Sequence, residues 1–131
     1  MTKEDWLDLT VLERKKYNCL SEVMDLSRQM GEAMDRNDQV SVRMLLALRQ
    51  DPILQLEELQ RSIAVRTEGM SLEDRIRVAD LGKGAAPQGE EESIYASQAG
   101  SVRRLLERVL ELDRRLNQRI AGSGSFYAQG E

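Results

Sequence analysis

The sequence contains no histidine and only one cysteine, Cys19. The first absence removes the commonest general base and the commonest metal ligand. The second excludes an internal disulfide and any cysteine cluster able to hold zinc. A reactive thiol usually wants a cationic or histidine-rich setting, and with no histidine present Cys19 reads as a small, buried or half-buried apolar side chain. Aromatic residues are scarce at 4%, namely Trp6, Tyr17, Tyr95, Phe126 and Tyr127. A core must therefore be built from Leu, Ile, Val and Met, which suits helices lying side by side better than a sandwich or barrel. No run approaches the roughly 20 apolar residues that span a bilayer. The acidic opening Met1-Thr2-Lys3-Glu4-Asp5 lacks the pattern of a secretion signal, so a cytoplasmic location is expected. No Gly-rich phosphate loop occurs either, since Gly82-Lys83-Gly84 has the wrong spacing.

What is present is charge, apolar periodicity and little else. The 131 residues suggest one domain. Charged residues make up 32%, with 19 basic against 23 acidic and a net charge of −4. So well-mixed a balance argues against a nucleic-acid partner and against adhesion to an anionic membrane. Two carboxylate pairs, Glu57 with Glu58 and Glu111 with Asp113, have the residue type for acid chemistry, but their setting reads as solvated helix faces. The chain is expected not to be an enzyme, and no cofactor or metal is expected.

The fold expected is all-α: an antiparallel bundle of three main helices plus one short helix, with coiled-coil-like packing. The first helical pattern runs from about Thr2 to Asp35, with Leu20, Val23, Met24, Ser27, Met30 and Met34 in one stripe. Two pairs have capping-box spacing. Thr10 with Glu13 would mark the start, leaving Trp6–Leu9 as a short preceding turn; Thr2 with Asp5 forms the weaker version. Arg36-Asn37-Asp38 reads as a turn. A second stripe comprises Val42, Leu45, Leu46, Ile53, Leu56, Leu59 and Ile63, with polar Arg49 and Gln60 on the same face. Pro52 falls within it and either kinks one helix or begins another at Asp51; the unbroken phase favours one kinked helix to about Thr67. Gly69 ends it.

A short helix from Leu72 to about Asp80 is capped by Ser71. Residues 81–92 are expected to be a mobile loop that runs through Glu90-Glu91-Glu92 into the last helix, placed at about Ser93 to Ile120. The domain is thus expected over residues 1–121, with a disordered tail over 122–131. The last helix carries Val102, Leu105, Leu106, Val109, Leu112, Leu116 and Ile120 at alternating steps of three and four. This stripe is either core or a docking face for a partner helix. The methionines Met24, Met30, Met34 and Met44, and the tail pair Phe126-Tyr127, are weaker candidates for partner contact.

Three segments together resemble the flagellar type III export chaperones of the FliT and FlgN kind. Leu20-Ser21-Glu22-Val23-Met24-Asp25-Leu26-Ser27, with Ala33 and Asn37-Asp38, is similar to their long first helix and its polar turn. Leu45 to Leu59, including Arg49-Gln50 and Ile53, is similar to their second helix. Leu105-Leu106-Glu107-Arg108-Val109-Leu110-Glu111-Leu112-Asp113-Arg114-Arg115-Leu116-Asn117 resembles their amphipathic C-terminal helix. Gly69 to Glu92 is not covered by the resemblance. It implies a cytosolic chaperone that shields the helical terminus of a filament-cap or hook-associated subunit and presents it to the export machinery. It places partner binding on Val102, Leu105, Leu106, Val109, Leu112 and Leu116, with Arg108, Glu111 and Arg115 as rim residues. The alternative left open is a structural coiled-coil or adaptor protein acting through self-association, for instance as a homodimer.

Overall fold

The computed structural model describes residues 1–123. Helix α1 spans Lys3–Asp35, α2 Gln39–Glu68, α3 Leu72–Gly82 and α4 Glu90–Ser123, with no strand among the described residues. The fold is the expected all-α bundle. Helix α1 is its spine, packing along its length against both α2 and α4, whose own backbones make no comparable approach to each other. Helix α4 runs parallel to α1 and α2 runs antiparallel to both, as three successive core layers make plain. Trp6 meets Tyr95 in the first layer, Leu20 meets Leu105 in the second, and Met30 meets Leu116 in the third.

The helix start lies at Thr2, not at Thr10. The Asp5 amide donates to Thr2 Oγ1 at 3.1 Å and the Thr2 amide to Asp5 Oδ2 at 2.9 Å, closing the capping box. Thr10 instead donates its hydroxyl back to the Trp6 carbonyl at 2.7 Å, a bond that fits mid-helix backbone. Trp6 and Leu9 are buried core residues of that same helix rather than a separate turn. Asn37 ends α1 in the left-handed region at φ 56°, and Asp38 then caps α2 through the Ser41 amide at 3.0 Å. Those bonds from Ser41 hold the Asp38 carboxyl below the usual carboxylate range.

Pro52 sits inside a continuous α2 and is fully buried, so Asp51 starts no new helix. Proline removes one backbone donor and presses on the preceding turn. No α2 residue beyond Pro52 is fully buried; Ile53, Leu56, Leu59 and Ile63 are half-buried.

The loop is shorter at both ends than the expected 81–92. Leu81 is 1% exposed and closes α3 onto the first core layer. Glu90, Glu91 and Glu92 form the first turn of α4, where the helix dipole favours carboxylates. Between them, Arg77 donates to Glu92 Oε1 at 2.9 Å and to the Ala86 carbonyl at 2.9 Å, while the Gln88 amide donates to Glu92 at 3.1 Å. Gly84 and Gly89 take the positive φ values, 107° and 90°, that these turns require. Gly122 and Ser123 continue α4, and Phe126-Tyr127 lies outside the described residues.

One charge lies in an apolar setting. Glu13 is 7% exposed, and burial pushes its carboxyl above the ordinary value, with Lys16 at 3.6 Å countering only in part. The folded state therefore holds the proton more tightly than the unfolded chain, so the group weakens folding at neutral pH and that penalty fades as the pH falls. Glu13→Gln should accordingly raise the denaturant midpoint at pH 7. The gain over the parent should shrink on acidification and vanish below about pH 4, where both folded and unfolded carboxyls are protonated. A gain independent of pH would show that the ionised carboxylate is not what weakens the fold.

Candidate functional site

The C-terminal stripe splits in two on the structure. Val102, Leu105, Val109 and Leu116 are only 3–4% exposed. They fill the second and third core layers against α1 and are not available to a guest. Their expected role in partner contact is corrected: α1 is the helix they bind. Leu106 and Leu112 sit at the edges of the stripe and are half-buried.

Leu112 opens onto something larger. A groove of about 410 Å³ runs between α1 and α4, lined by Met24, Arg28, Glu107, Arg108, Glu111, Leu112 and Arg115. The structure thus brings together Leu112 and all three expected rim residues, Arg108, Glu111 and Arg115. It adds Met24 and Arg28 from α1, which the C-terminal stripe alone did not reveal. Met24 carried a signal, being one of the methionines singled out. Of the others, Met30 is sealed in the core, Met34 is half-buried and Met44 is exposed.

The groove has an apolar floor and charged edges. Glu111 accepts from Arg114 Nε at 3.1 Å and from Arg115 Nε at 3.2 Å. The Arg114 bonds, aided by Arg115, hold its carboxyl below the usual range. Glu111 and Asp113 therefore form no acid pair: Asp113 turns the other way and accepts from Arg49 of α2. Glu57 and Glu58 are exposed, as a solvated face requires.

A second concavity follows the α1–α2 seam. Two adjoining hollows of about 560 and 420 Å³ share Leu12, Glu58 and Ser62. Cys19 lies at its inner end, with Sγ 3.8 Å from Gln55 Oε1. Burial, with Glu22 and Asp51 nearby, raises its thiol pKa, the opposite of what a nucleophile needs. Among the described residues, no group of three or more potential ligands is placed to hold a metal ion.

These grooves suit side-chain packing and edge ion pairs, the chemistry of peptide docking. No helix among the described residues is long and apolar enough to cross a membrane. Compared with known protein families, curated proteins and solved structures, the chain matches none.

Proposed function

We propose that this chain is a protein-binding module that holds an amphipathic helical segment of another polypeptide in the α1–α4 groove. The observation that carries the reading is the Met24–Leu112 floor between arginine and glutamate edges, open along two parallel helices. Methionine adapts its shape to a guest, and Leu112, packed on the third core layer by one side, still offers part of its apolar surface to the groove. The charged edges set register and on-rate. The finer reading rests on the resemblance of three segments. On it, the chain is a cytoplasmic chaperone for flagellar type III export, and the guest is the helical terminus of a filament-cap or hook-associated subunit.

The test is a pull-down from cell lysate followed by titration of the captured terminus. Leu112→Asp should weaken binding by at least about 30-fold, the effect of losing a central hot-spot residue. Leu112 also packs on the third core layer, so the unfolding midpoint should fall, and binding is compared at a temperature where the helix content of both proteins shows them folded. Unchanged binding in a folded Leu112→Asp protein rules out this groove as the docking site.

A further inference from the structure

Helix α2 is apolar on two faces, and only one of them is used. The inner face packs on α1 through Val42, Leu45 and Pro52. On the opposite face Val40, Met44, Ala47, Leu54 and Val65 are all exposed, Val40 by 77% and Val65 by 71%. Scattered surface aliphatics need no explanation, but these are in register. With Asp51, Glu58 and Arg61 they occupy every step of an unbroken 4-3-4-3-4-3-4 spacing from Val40 to Val65, the seam of a coiled coil. No helix among the described residues covers that seam, since all eight positions are solvent-exposed, although Glu58, Arg61 and Val65 also border the hollow beside Leu12 of α1.

From this we infer that α2 pairs with α2 of a second copy, antiparallel, with Asp51 of each copy against Arg61 of the other. The charges select the occupant, its direction and its register. A parallel pair would stack Asp51 on Asp51, Glu58 on Glu58 and Arg61 on Arg61 in three of its layers, each a like-charge contact. An antiparallel pair with its two-fold axis beside Leu56 sets Asp51 opposite Arg61 twice and Ala47 opposite Val65 twice. Leu54 then packs on the aliphatic stem of Glu58. Sliding the register by one heptad one way would place Asp51 against Leu54 and Arg61 against Met44, burying unpaired charge; sliding it the other way would pair Glu58 with Arg61 but set Asp51 against Glu68, a like-charge contact, and shorten the overlap. The seam is thus complementary to itself under a two-fold axis, which is what an isologous dimer requires. The α1–α4 groove uses no α2 residue, so this pairing stands or falls independently of guest binding.

Sedimentation velocity over a concentration series, with light scattering, tests it on the full chain. The parent should form a dimer. Arg61→Asp and Asp51→Arg should each raise the dissociation constant by roughly tenfold, two symmetric ion pairs being lost at once. The double exchange D51R/R61D should restore the parent value. Both sites are exposed, so helix content should be unaffected. A parent that stays monomeric at every concentration overturns the inference. So does a dimer indifferent to either single change, or a double exchange that fails to restore association.

Discussion

Replacing Arg49 by alanine should cost this bundle about 3–5 kcal/mol, a fall in Tm of roughly 10–20 °C. Arg49 lies on the inner face of α2, with its side chain 12% exposed, and is the polar tie among the three long helices. Its Nη1 donates to Ser27 Oγ of α1 at 3.0 Å and to Asp113 Oδ1 of α4. Ser27 is 0% exposed, so its hydroxyl loses its donor inside the core. Asp113 would be left as a partly buried carboxylate facing an apolar layer. The arrangement is not an optimum, for Arg49 Nε is buried with no partner of its own.

Removing the whole tie should therefore be far cheaper than breaking it. The triple change Ser27→Ala, Arg49→Met and Asp113→Leu replaces the tie by apolar side chains and orphans nothing, and should recover most of the loss. Urea unfolding of the single and triple variants decides the matter. A triple variant as unstable as Arg49→Ala would mean that the ion pair itself stabilises the fold, not merely that breaking it is costly. The tie serves geometry as well. Because α2 and α4 barely approach each other, it is their side-chain bridge at the level between the second and third core layers.

This tie also shows how far sequence reasoning reached. Arg49 stood out as a charge on an apolar stripe, and Ser27 as a hydroxyl on another. Periodicity says that a residue faces a neighbour but does not say which, so the two irregularities could not be matched. The same limit explains the C-terminal stripe. Steps of three and four located α4 and its buried face correctly, and left open whether α1 or a guest would cover it. Val109 and Leu112 are three residues apart on one stripe, yet one is sealed and the other opens onto the groove. That difference depends on how far α1 leans across α4, which no local pattern encodes. At the helix start the weaker of two capping signals prevailed. Thr2 with Asp5 and Thr10 with Glu13 have the same spacing, and burial of Trp6 and Leu9 selected the first pair. The loop bounds were missed for a similar reason. Leu81 looks like a lone apolar residue before a glycine, and only the first core layer gives it a partner.

That first layer should prove separable from the rest. Trp6 packs on Tyr95 with ring centroids 5.4 Å apart and planes tilted by 53°, and the same cluster holds Leu9, Val78, Leu81 and Ala99. Trp6→Ala should cost about 3–5 kcal/mol, most of it lost burial and cavity, with about 1 kcal/mol from the ring pair. The loss should not be evenly spread. Helix α3 buries only Val78 and Leu81, and both belong to this cluster, so α3 has no second anchor in the core. Hydrogen exchange of α3 and of the first turns of α4 should accelerate well before that of α1 and α4 around Met30 and Leu116. Met30→Ala, at a cost of about 2–5 kcal/mol in the third layer, should do the reverse and leave α3 protection comparatively intact. If both variants instead lower protection uniformly along the chain, the layers unfold as one unit. The stability that α1 lends to α3 would then be transmitted through the full length of the bundle rather than held at its first layer.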